Sequence, residues 1–531
     1  MASATEKLKF YSRRPSSAPS SDAGEERFFN LAERKTAELV IGMVAPVGSG
    51  ATTTASILSK KLNEDYGYEV DYIKLSKIMQ TYSGTATVDA GDPGRVEKLQ
   101  AIGNQLREKF GNHVLSSIAV DRIYKSREGD DTPRDRRLCT IVDSLKHPEE
   151  VELLREVYGD SFWLMGVFAP EKIRIERVES SLGSSSYVEK IKSADFDEGL
   201  EHGQSVRKTM SGADVFIRND QPNEEKLSTS IDRFLRLIFG ISVETPSKDE
   251  VAMHGAAGAA LGSACLSRQV GAVIISATGE VIGRGANDVP RFGGGTYNSD
   301  DSSGDHRCFK WKNKICWNDK HKIGIIEQIS KGLGSSVNTE NVKENIKRSG
   351  VQSLIEFSRA VHAEMEAIIS VARQGNGGIV GSSLYTTTFP CHSCARHIVA
   401  SGIDKVLYIE PYPKSLALTL HSDSITMSES EGGKVKFLQY EGVAPGSFNR
   451  VFGMFGDRKA NGSAIAKNRK EARPVAAPAL DSLVSREQIV LANAISESEV
   501  VNDDARREAS RTIPNVSSPS NSNKEGSKDL F

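Results

Sequence analysis

HAEMEAIISVARQGNGGIVGSSLYTTTFPCHSC, residues 362–394, reads as a helix, a glycine-rich loop, a strand and the opening of a second helix. Its chemistry sits at the two ends, in His362-Ala363-Glu364 and in Pro390-Cys391-His392-Ser393-Cys394, which begins 26 residues after Glu364. A catalytic zinc site needs three protein ligands and one position left open for water, and one imidazole with two thiolates supplies that set. Cys391 and Cys394 lie one helical turn apart, so both sulfurs can face one ion. Pro390 suits the entry to a helix, whose free amides favour thiolates. Glu364, two residues from the imidazole, is placed to move protons without touching the ion. Two alternatives use the same cysteines: a structural knuckle completed by His392 or His397, and a redox pair. Neither gives His-Ala-Glu a purpose.

Outward from this stretch the chain keeps alternating helix and strand. VAMHGAAGAALGSACLS (251–267) is a small-residue helix, and VGAVIIS (270–276) and EVIGRGAN (280–287) are a strand pair. After the second cysteine helix comes another strand, KVLYIEP (405–411). A polar insert runs from about residue 288 to 350. Its His306, Cys308, Cys316 and His321 have the inventory of a structural zinc but no zinc-class spacing, so incidental cysteines remain an equal reading. Its alternation of basic and aromatic residues equally suits one wall of a nucleotide or RNA site.

The N-terminal half has its own pattern. LVIGMVAPVGSGATTTASILSKKL (39–62) is a strand, a glycine turn and a helix opening on threonines, the setting a phosphate-binding P-loop requires. Gly48, Ser49, Gly50, Ala51, Thr52 and Thr53 are the candidate nucleotide-binding residues, with Thr52 where a magnesium-binding hydroxyl belongs. Ala45 replaces the first glycine and Ala51 replaces the lysine that reaches the outer phosphates, so binding is expected and efficient phosphoryl transfer is not. Strand-like runs follow at 138–142, 162–168 and 213–217, with Asp143 at a strand end as a Walker-B-like acid. The surrounding pattern looks like a nucleotide-kinase relative, and Arg174 and Arg177 are the basic residues that can stand in for the missing lysine.

At 531 residues, 38% hydrophobic and 26% charged, the chain is expected to hold two globular units and tails. We expect a flexible segment at 1–35, a P-loop unit at 36–240, a linker, a metal-dependent unit at 251–458 and a mostly disordered tail at 459–531. That tail carries an amphipathic helix over 480–495. The net charge of −2 gives no bulk attraction to polyanions. No apolar run suggests a signal peptide or membrane span, and six cysteines do not read as a disulfide framework; the expectation is a cytoplasmic protein with no membrane partner.

The H-x-E…P-C-x-x-C pattern is the zinc-deaminase signature. Residues 251–455 resemble the deoxycytidylate deaminase family, with Asn287 to Pro290 matching its Asn-x-x-Pro turn. With its P-loop unit the whole chain is similar to the anti-phage dCTP deaminases. The resemblance implies a P-loop doubly wound parallel sheet followed by a cytidine-deaminase-type α/β/α sandwich. It also implies one catalytic Zn2+ on His362, Cys391 and Cys394, Glu364 as proton donor, and Asn287 against the nucleotide sugar. Further implications are a deoxycytidine nucleotide substrate, dCTP or dCMP, a homo-oligomer, and control by an inhibitory small RNA or a nucleotide signal at the P-loop, with Mg2+ there. Lys414, His421 and Arg359 are further residues able to reach phosphates. Two competing functions are a polynucleotide-editing deaminase and a nucleotide kinase with a degenerate deaminase appendage.

Overall fold

The computed structural model describes residues 35–82, 94–127, 136–182, 203–221, 223–333, 338–348, 356–375 and 377–493. Residues 1–34 and 494–531, most of the expected N-terminal segment and the end of the expected tail, lie outside them.

Five strands, β1 (Leu39–Val44), β2 (Glu69–Lys74), β3 (Leu138–Asp143), β4 (Phe162–Phe168) and β5 (Val215–Arg218), form a parallel sheet in the order β5-β4-β1-β3-β2. β1, β3 and β4 are buried along their whole length, as strands covered on both faces must be. Alternate residues of β1 serve different cores. Leu39, Ile41 and Met43 meet α1 (Ala51–Glu64) and α3 (Glu225–Phe239), whereas Val40 and Val44 join a second cluster on the opposite face. Between those helices in sequence lies α2 (Glu171–Leu182), which follows β4. This is a doubly wound α/β layer.

The second sheet runs β10-β11-β9-β8-β6-β7. Here β6 (Gly271–Ile275) pairs antiparallel with β7 (Val281–Ala286) and β8 (Ser383–Thr388), while β9 (Lys405–Glu410), β10 (Ile425–Thr426) and β11 (Val435–Gln439) continue it in parallel. α4 (Lys248–Ala260) covers one face, and α5 (Ala363–Gln374) with α6 (His392–Ala400) the other, giving an α/β/α sandwich. Gly285 fixes the height of α5: a Cβ there would stand 2.1 Å from the Ala363 carbonyl oxygen and 2.4 Å from the Ala367 nitrogen. Only a bare backbone lets the first turn of α5 lie this close to β7.

The two sheets are not separate bodies. One hydrophobic cluster contains Phe168, Met210 and Phe216 of the first layer together with Met253, Tyr385 and Leu407 of the second. A short strand, β12 (Gly442–Val443), leaves the second layer and adds antiparallel to β5. Buried Glu250 ties the joint: it accepts from the Arg233 guanidinium at 2.7 and 2.8 Å and from the Val443 amide at 3.0 Å. The segment from 459 onward, expected as a mostly disordered tail, includes residues 459–493, whose helix at 480–493 packs on the first layer. Leu483 is buried in that layer's core, and fully buried Glu487 pairs with Arg127, which also binds Glu38. No helix among the described residues is long and apolar enough to cross a membrane.

Candidate metal centre and glycine loop

α5 and α6 bring the two ends of the 362–394 stretch together. His362 and Cys391 are the residues that cap them: each has an extended backbone and stands just before its helix. The Cys394 amide donates to the Cys391 sulfur at 3.4 Å, so a free helix amide is spent on a thiolate. His362 Nδ1 lies 3.3 Å from both Cys391 Sγ and Cys394 Sγ. Among the described residues this is the one group of three metal-ligating side chains whose donor atoms all fall within 4.8 Å of one another. One nitrogen and two sulfurs at this spacing fit a tetrahedral zinc with its fourth position free.

The three donors share protons that a bound metal would displace. Hydrogen bonds from Cys394 and from His362, with the charge of the imidazole, draw the Cys391 thiol well below the ordinary thiol range. The bond to Cys391 raises His362 to about 9. Glu364 is buried beside them, 3.5 Å from Cys394 Sγ, and burial pushes its carboxyl above the ordinary carboxylate range. A carboxyl held that way keeps a proton more readily than a solvated one, which suits a shuttle.

Asn287 follows β7 and is almost buried; its Oδ1 accepts from the Val270 amide at 2.7 Å and its Nδ2 donates to the Arg268 carbonyl at 2.8 Å. It pins the loop that leads into β6, a task its spacing did not reveal. His306, Cys308, Cys316 and His321 do not gather around one point. Cys308 and Cys316 line a small cavity with Cys265, while the two imidazoles belong to a run of rings, Tyr297, His306, Trp311, Trp317, His321 and Phe357, with neighbouring centroids 5.3–6.3 Å apart. Arg359 lies over Trp311 at 3.8 Å.

The glycine loop joins β1 to α1 with Gly48 and Gly50 at φ of 82° and 78°, which a side chain would strain. Its carbonyls are held from outside. Lys146 donates to Ala45, Arg174 to Val47, Arg177 to Gly48, and Asn219 to both Ser49 and Gly50, at 2.8–3.2 Å. With its carbonyls tied back, the loop is preorganised to present amides. Ser49 is fully buried and its hydroxyl has no hydrogen-bond partner. Lys74, at the end of β2, places its ammonium 3.2 Å from Thr52 Oγ1 and 3.9 Å from the Asp143 carboxylate. A magnesium ion between Thr52 and Asp143 would have to displace it. Lys74, Lys146 and Asn219 had no role in the sequence reading, because strands and loops far apart in sequence bring them here.

The cytidine and deoxycytidylate deaminase zinc-binding region matches residues 246–410. The deoxycytidylate deaminase of Enterobacteria phage T4 is 33% identical over 154 residues, covering 29% of this chain and 72% of that protein. The chain therefore belongs to the cytidine and deoxycytidylate deaminase family, and membership implies a zinc-dependent hydrolase. A second kind of relative matches too: a UPF0200 protein of Saccharolobus islandicus (strain Y.G.57.14) is 28% identical over 190 residues, 35% of this chain and 86% of that protein. A dCMP deaminase structure from cyanophage S-TIM5 covers 37% of this chain and all of its own, at 18% identity and a TM-score of 0.21.

Proposed function

We propose that the protein hydrolyses the amino group of free deoxycytidine nucleotides, dCTP or dCMP, giving the deoxyuridine nucleotide and ammonia. The observation that carries this is the convergence of His362, Cys391 and Cys394 beside buried Glu364 at the mouths of two helices. The three donors would hold zinc, which when bound supplies the Lewis acidity that lets water ionise near neutral pH. Glu364 would take one proton from the water and pass it to the cytosine N3, then take the second from the hydroxyl added at C4 and pass it to the departing amine; the water oxygen stays on C4 as the carbonyl and the nitrogen leaves as ammonia. Asn287 holds the loop beside the site and has a second amide hydrogen to offer a sugar hydroxyl. The T4 relative, a deoxycytidylate deaminase, supports a mononucleotide over a polynucleotide.

In the same reading the glycine loop, Gly48 to Thr53, binds a nucleotide without efficient phosphoryl transfer, and the activity serves antiviral defence by drawing down dCTP in an oligomeric enzyme. The preorganised loop supports the first part; the comparisons lend no support to an inhibitory small RNA. The test incubates purified, zinc-loaded protein with dCTP, dCMP, CTP and a cytosine oligonucleotide and separates the products. Conversion of the free deoxynucleotides is expected. Uracil appearing only in the oligonucleotide would overturn the reading.

A further inference from the structure

A partly open cavity of about 350 Å³ lies where the two sheets meet, outside the metal centre. Phe168 and Arg218 end β4 and β5, and Tyr408 and Gln439 stand near the ends of β9 and β11; all four line it. Both layers thus turn the carboxyl ends of parallel strands toward one space, the place where open α/β sheets bind ligands. The volume lies in the range of small-molecule sites.

The lining has a definite chemistry. Phe168 and Met210 from the first layer and Phe389, Tyr412 and Phe437 from the second give it apolar walls. Three guanidinium groups border them, Arg174, Arg207 and Arg218, against a single lining acid, Glu171. Arg218 is matched by Asp220 and Glu429, but Arg207 Nε is buried with no hydrogen-bond partner. A buried donor left unsatisfied costs about 1–3 kcal/mol. A planar ring between the walls and an anion on Arg207 would satisfy both halves of the lining.

We infer that this cavity is a nucleotide-binding site, distinct from both the metal centre and the glycine loop, and that its occupant touches the supports of both. Phe389 precedes the Pro390-Cys391 turn, and Ser415 of the lining donates to the Pro390 carbonyl at 2.7 Å. On the other side Pro46 begins the glycine loop and Arg174 holds Val47. A nucleotide here is wedged between the two chemistries.

The test is calorimetry of the full-length, zinc-loaded chain carrying Gly50→Val, which silences the glycine loop, with ATP, whose purine is no substrate for a cytosine site; GTP and dTTP follow if ATP is silent. Because binding is read without turnover, the result stands apart from the deaminase reading. Adenosine and tripolyphosphate alone should bind at least tenfold more weakly than the nucleotide. Arg207→Ala, which removes the anion contact, and Leu418→Trp, which fills the cavity, should each weaken binding at least tenfold with zinc content and melting temperature held. Nucleotide binding unchanged in both variants, tripolyphosphate binding as tightly as the nucleotide, or no binding of any of the three would overturn the inference.

Discussion

The metal cluster and the glycine loop are both built at helix N-termini, yet they are assembled in opposite ways. In the cluster the side chains carry the chemistry, and all four of its residues come from one stretch of 33. In the loop the backbone carries it, and the groups that shape it arrive from β2, the loop after β3, α2 and the end of β5. Removing one side chain from the first should end its function outright. The second should fail only when its backbone is forced out of shape, and should weaken by degrees otherwise.

The sharpest break is Cys391→Ala. Losing one thiolate should empty the site of zinc and take deamination below detection; metal analysis beside the product assay checks both. Glu364→Gln comes next, with zinc retained and turnover down by about 10²–10⁴-fold. A variant that lost its metal would make Glu364 part of the ligand shell.

On the other side of the comparison, Gly50→Val should eliminate nucleotide binding at the loop. Its Cβ would stand 2.2 Å from Asn219 Nδ2, on a backbone at φ 78°. Bound zinc should be unchanged. Lys74→Met should have a milder effect, with nucleotide affinity falling about tenfold in magnesium-free buffer and less when magnesium is supplied. An equal loss in both buffers would show that the ammonium does not stand in for the ion. The smallest effect is on stability: Glu487→Gln removes a charged partner of Arg127 and should lower unfolding free energy by about 1–3 kcal/mol, read from denaturant titration.

The same contrast explains what could be read before the fold was known. His362 and Glu364 are two residues apart at the start of one helix, and Cys391 and Cys394 three apart at the start of another, so each pair is held together by local sequence alone. Strands at 162–168 and 138–142 were legible because runs buried on both faces are continuously apolar. The tie between the layers was not. β12 is two residues long, and Glu250 looks like any acid in the first turn of a helix until Arg233 and Val443 are placed against it. Nor could the insert's histidines be sorted, since their tilted contacts with Trp311 and Trp317 depend on the path of an irregular loop. Arg174 and Arg177, the basic residues the sequence offers near the loop, hold its carbonyls, and the ammonium beside Thr52 is that of Lys74.

The completion of the first sheet by β12, and its covering by residues 480–493, has a consequence for how the protein is made. A ribosome releases the first five strands long before Val443 and Glu487 exist, so the N-terminal layer leaves the tunnel with an open edge beside β5 and Arg127 uncovered. Translation must run through most of the message before that layer can close. A stalled or truncated chain ending near residue 240 would be a substrate for chaperones and proteases rather than an independent nucleotide-binding fragment.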